Sequence, residues 1–259
     1  MKLWFQSCTD MGANPIWNDY EISLRRHLQR VARPGTEIAL HGTSVFSGRT
    51  RSYQYDVYLH THEIIEKAIE AEKAGYDAYV QTGMQDYGYY EIREAVGMPV
   101  IYPVENALHV ASLVAPKIAF LTYSHVMLQN LNEKARSYGF NDRLTAGGSV
   151  ELTPKDLSAA FKNPQPVIDI LEEEAKKIAR QGANILITAG NPITMLLIDN
   201  NKMELGGVRV LDSQGTLVKM AEFMADLNAM GVNRTGMGRY APQPRELLAA
   251  TRKLYGVGE

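Results

Sequence analysis

Four side chains in this sequence pair useful chemistry with a telling position. Asp86 follows Gly83 by three residues, Asn191 directly follows Gly190, and Ser7 and Tyr123 each close an apolar run. A carboxylate such as Asp86 can act as a base or hold a water at a crevice. The Tyr123 O–H could donate to a substrate carboxylate or oxyanion, and Ser7 could hydrogen-bond a substrate. Asn191 would add donors at a helix start, where the backbone favours anions. Each also has a plainer reading: Asp86 as a helix N-cap, Ser7 as a turn residue, and Tyr123 as a packed aromatic with its hydroxyl in water.

Two glycine-marked strand ends must position them. Asp77 to Gln81 reads as a buried strand ending at Gly83, with a helix expected over 87–96. Asn184 to Ala189 repeats that logic, with Gly190 and a helix from Ile193. In an open α/β sheet, ligands bind outside the carboxyl ends of the strands. The expected site is therefore catalytic Asp86, Tyr123 and Ser7, with substrate held by Gln6, Gly83, Met84, Gln85, Thr122, Ser124, Gly190, Asn191 and Pro192.

Strands alternate with helical patterns along the chain, the rhythm of βαβ units and a parallel sheet. The fold class is α/β, in two pseudo-symmetric halves with the active site in the cleft between them. The first half is 1–113, completed by 212–232. The second is 114–211, and 233–259 is an extension that packs across a subunit or stays mobile. Residues 42–56 form a long loop of the kind that lines a site or acts as a lid. The Glu172–Glu174 and Lys176–Lys177 run reads as a solvated helix face, and His60 and His62 read as surface residues.

With 259 residues and a net charge of −2, nothing points to nucleic acid or an anionic membrane as partner. Cys8 is the only cysteine, so neither an internal disulfide nor a multi-cysteine metal site can form. The opening apolar run is too short for a signal peptide or membrane span, which makes a cytoplasmic location the default. There is no GxGxxG after the first strand, no GxxxxGK[ST], no HExxH and no GxSxG.

The stretches Pro34 to Glu37, Gly75 to Ala78, Asp86 to Gly88, Arg93 to Ala95, Pro99-Val100 and Glu105 to Ala107 resemble hydantoin and allantoin racemases. These belong to the Asp/Glu racemase superfamily, with maleate isomerase and arylmalonate decarboxylase. The resemblance runs to about residue 230 and is most specific over 74–107. It implies two α/β halves, a small-molecule substrate, no cofactor and a homo-oligomer.

It also implies one cysteine at each of two strand ends, each serving one face of the substrate carbon. The family's Cys-Phe-x-Asp-Pro-Gly, laid on Gly83 to Gly88, puts the first at Gly83; the second falls on Gly190. Neither can move a proton. Cys8 stands where the resemblance implies a substrate-binding residue, and a lone cysteine is usually an apolar filler. Two deleted thiols would open space for a water, oriented by Asp86, to attack an amide or ureide carbonyl. The expectation is thus hydrolysis of a small cyclic amide or related acyl compound. The alternatives are an isomerase, racemase or decarboxylase using other acid/base groups, and a non-catalytic ligand binder.

Overall fold

The computed structural model describes residues 1–45, 53–234 and 236–257. The core of the expected 42–56 loop, residues 46–52, lies outside them. The first sheet contains β1 (Lys2–Gln6), β2 (Glu37–His41), β3 (Ala78–Gln81) and β4 (Val100–Ile101), in the order β2-β1-β3-β4, all parallel. The second contains β5 (Ile118–Thr122), β6 (Gly148–Ser149), β7 (Ile185–Ala189), β8 (Glu204–Leu205) and β9 (Val208–Val210), in the order β6-β5-β7-β9-β8. Only β8 runs antiparallel, against β9.

Every residue of β3, β5 and β7 is buried. That is why they read as continuous apolar runs and not as alternating strands: helices cover both faces of a parallel sheet. The connecting helices in the first half are α1 (Asn18–Val31), α2 (Gln54–Lys73), α3 (Glu91–Ala95) and α4 (Pro103–Val114). In the second they are α5 (His125–Ser137), α6 (Pro154–Ala160), α7 (Gln165–Arg180) and α8 (Asn191–Asp199). The next helix, α9 (Ser213–Ala229), returns to the first sheet, where Leu217, Val218 and Ala221 share a core with Leu3, Phe5 and Val80.

On α7, Val167, Ile168, Leu171, Ala175 and Ile178 face the core at helical spacing. Each of its large apolar side chains contributes roughly 1.5–3 kcal/mol by leaving water. Its charged run mostly pairs with itself, Lys176 to Glu173 and Lys177 to Glu174. Glu172 instead accepts the backbone N–H of Gly206 at 2.9 Å.

Two expectations need correction. The helix read over 87–96 shrinks to the five residues of α3, because Asp86 and Gly88 adopt left-handed φ of 47° and 61° and the chain turns instead. His60 is not a surface residue: it is buried edge-on against Tyr87. The described residues of the extension make contacts with their own chain. Arg252 grips Glu66, Arg245 pairs with Glu72, the Gln243 N–H bonds the Glu94 carbonyl, and α10 (Arg245–Leu254) lies along the first half. Arg234 donates to the Arg93 and Val96 carbonyls, and Arg245 to that of Ala95. Three carbonyls at the end of α3 thus gain guanidinium partners. No helix among the described residues is long and apolar enough to cross a membrane.

Candidate active site

The carboxyl ends of both sheets line one enclosed cavity of about 80 Å3. The first half supplies Ser7, Cys8 and Thr9 after β1, and Gly83 and Met84 after β3. The second supplies Tyr123 after β5, Met127 on α5, and Gly190, Asn191 and Pro192 at the start of α8. Trp17, Tyr20, Pro154 and Leu157 close it. The lining carries no Lys, Arg, His, Asp or Glu among the described residues. Among the described residues, no group of three or more His, Cys, Asp or Glu could hold a metal.

Both glycines face this cavity as expected, but the spaces beside them are filled. A Cβ added to Gly83 would lie 2.8 Å from the Cys8 sulfur and 2.9 Å from its Cβ. A Cβ added to Gly190 would lie 2.6 and 2.7 Å from two carbons of the Tyr123 ring. The room that hydrolysis required for a water is therefore occupied by a thiol on one side and a phenol on the other.

The same displacement occurs in both halves. β1 and β3 are paired neighbours, with Gln6 level with Gln81; two residues further on each, Cys8 meets Gly83. β5 and β7 are likewise paired, with Thr122 level with Ala189; one residue further on each, Tyr123 meets Gly190. In each half the side chain that fills the space stands one strand over from the glycine.

The two glycines are required for different reasons. Gly83 has ordinary φ and is needed because Cys8 approaches it, whereas Gly190 has φ of 109°, which L side chains rarely adopt. Gly83→Ala should cost about 2 kcal/mol by overpacking, and removing the Cys8 side chain in the same protein should return part of it. Gly190→Ala should cost at least as much, and truncating Tyr123 should leave most of that loss in place. Urea unfolding of the two double-mutant cycles separates contact from backbone strain.

Asp86 does not reach the cavity. It is buried, and its Oδ1 accepts the Val104 N–H at 2.9 Å. Its Oδ2 accepts the Glu105 N–H at 3.1 Å and the Tyr138 hydroxyl at 2.9 Å. It therefore caps the start of α4, not the helix that follows it, and neither oxygen is left for catalysis. Burial pushes its pKa up to about 6, against the smaller opposing effects of Lys134 and its hydrogen bonds.

Gln6 lies behind the cavity. Its amide donates to the Ser7 and Gly42 carbonyls at 2.8 and 3.0 Å and accepts the Trp4 indole N–H at 3.0 Å. Thr122 and Ser124 flank Tyr123 without lining the cavity, and Gln85 faces a neighbouring chamber. Ser7 does line it, with its hydroxyl 2.9 Å from that of Thr9. Asn191 lines it while its side chain clasps the two halves, donating to the Thr82 carbonyl and accepting from the Gln214 amide at 3.0 Å.

Sequence reasoning passed over Cys8 as a participant, together with Thr9, Trp17, Tyr20, Met127, Pro154 and Leu157. A signal for Cys8 was present: it lies just past the end of β1, as Tyr123 lies just past the end of β5. The helix residues carry no such mark, since their apolar side chains look alike whether they face a core or a cavity.

The Asp/Glu/Hydantoin racemase family model matches residues 18–221. The chain belongs to that family. It is 28% identical over 196 residues to a hydantoin racemase from Pseudomonas sp. (strain NS671), covering 76% of this chain and 77% of that protein. A hydantoin racemase from Paenarthrobacter aurescens is 26% identical over 204 residues, covering 77% of this chain and 83% of the other. The fold matches the crystal structure of allantoin racemase from Pseudomonas fluorescens with a TM-score of 0.75 at 20% identity, covering 95% of this chain and 97% of that one. Family membership and the filled spaces favour racemase or isomerase chemistry over the expected hydrolysis.

Proposed function

We propose that this protein moves a proton between the two faces of a carbon next to a carbonyl in a small neutral ring, with Cys8 and Tyr123 as the two proton carriers. One observation carries the reading: the thiol and the phenol stand at the places the resemblance assigns to two cysteines, one per half, on a shared cavity. In one direction the thiolate of Cys8 takes the proton, and the electron pair passes to the neighbouring carbonyl oxygen. The Tyr123 O–H then gives a proton to the opposite face, leaving a phenolate. The reverse direction starts from that phenolate and the Cys8 thiol, so each enantiomer is met by its own protonation state of the pair.

The lining supports the substrate class. A free amino acid would bring charges that no lining side chain among the described residues neutralises, and burying an unpaired charge is costly. A hydantoin-type ring, the substrate named for the curated relatives, brings only N–H and C=O groups. Its oxyanion would gain from the start of α8, where Gly190 and Asn191 line the cavity.

The test is proton NMR in D2O with single enantiomers of alkyl hydantoins, alongside polarimetry. The expected result is loss of the ring C–H signal together with loss of optical rotation, well above the enzyme-free rate. Ring opening without exchange would overturn the reading, and so would the absence of both signals.

A further inference from the structure

We propose that the chamber outside the cavity is the second part of the substrate site and takes the carboxylate of an acidic arm carried by the ring. This rests on the reading of the inner cavity given above. Met84 and Met127 line both spaces and stand between them; in this reading they are the neck through which the arm passes. Methionine side chains are flexible enough to let an arm pass.

The chamber measures about 550 Å3, and two cations line it: Lys134 from α5 and Arg239 from the extension. Neither makes an ion pair or a side-chain hydrogen bond among the described residues; Arg239 lies over the Tyr90 ring, 4.9 Å from its centre. The Lys134 ammonium is partly withdrawn from water, which pushes its pKa below the usual lysine value. The carboxylates acting on it are Asp86 and Glu91. Asp86 has both oxygens engaged elsewhere. Among the described residues, the one acidic side chain in the lining is Glu133, which is exposed.

The side-chain amides of Gln85 and Asn130 also line the chamber without a hydrogen bond among the described residues. A desolvated cation without a partner, beside free amide donors, suits an anion that accepts several hydrogen bonds. A carboxylate fits that description. Its position beyond the methionine neck fits an arm of the ring and not the ring itself.

The experiment compares two probes on the full-length protein: a hydantoin with a carboxyethyl arm and its neutral carbamoylethyl isostere. Calorimetry should show the carboxylate binding about tenfold more tightly or better, as a charge-assisted contact gives. Lys134→Met should weaken the carboxylate by about tenfold and leave the isostere within about twofold. Arg239→Met, at an exposed position, should have a smaller effect in the same direction.

Equal binding of the two arms by the native protein overturns the proposal, as does equal weakening of both by Lys134→Met, or binding of neither. Deuterium exchange at the ring carbon is read in the same samples. A carboxylate preference without exchange removes the proton-transfer reading and leaves the anion chamber. Exchange without a preference does the reverse.

Discussion

Tyr123→Phe should reduce racemisation of a hydantoin by about 10²–10⁴-fold, the usual contribution of one positioned acid or base. Only an oxygen is lost. The ring still covers Gly190, so packing and unfolding midpoint should barely move. Cys8→Ala should reduce racemisation to a similar degree. The two variants separate in isotope exchange. With Tyr123 lost, Cys8 still removes the proton from its own enantiomer and returns deuterium to the same face. That enantiomer should exchange with retention while its mirror image stays inert. Cys8→Ala should show the opposite preference. Racemisation within about twofold of native in either variant would remove that residue from the mechanism.

The second large effect concerns Asp86→Ala. Two backbone N–H groups at the start of α4 and the Tyr138 hydroxyl would lose their acceptor together. A buried donor left unsatisfied costs about 1–3 kcal/mol. Alanine is also poorly suited to the φ of 47° that Asp86 adopts. Relief from burying a carboxylate offsets part of this, for a net loss of about 3–5 kcal/mol and a melting point roughly 10 °C lower.

The pH dependence follows from the same burial. The native carboxyl holds its proton up to about pH 6, against 3.8 for the ordinary group. Between those values the native state binds more protons than the unfolded chain, so stability falls as pH rises. That difference corresponds to roughly 3 kcal/mol, lost between about pH 4 and pH 6. Glu222, whose pKa is held low, works in the opposite sense and at lower pH. Urea unfolding from pH 4 to 7 should show the decline in the native protein and a flatter profile in Asp86→Asn. Superimposable profiles would show that Asp86 does not cause it.

The strands were legible because both-sided burial makes β3, β5 and β7 continuous apolar runs, each stopped by a turn. The helix boundaries were less so. α6 carries a readable start, in which Thr153 and Asp156 form a reciprocal cap around Pro154, but spans only seven residues, too few to show a clear period. β8 spans two residues in a hairpin closed by Gly206 and Gly207, too short to show a period. At the site, both glycines were found from local pattern. What fills the space beside each was not, because Cys8 and Gly83 meet only through strand pairing across the first sheet. Asp86 was misjudged for the same reason, since its partners lie on α4 and just past the end of α5.

The docked extension has a consequence for how selectivity is inherited. Its arginines bind main-chain carbonyls at the end of α3, and those carbonyls exist whatever the side chains there may be. The segment that carries Arg239 is thus fastened in part by contacts that do not depend on the side chains of α3, beside the Arg245–Glu72 and Arg252–Glu66 pairs. Replacing residues 236–241 alone would redecorate one wall of the outer chamber and leave Cys8 and Tyr123 untouched. On the proposed reading, recognition and proton transfer would diverge independently, one swapped like a cassette while the other stays fixed at the strand ends.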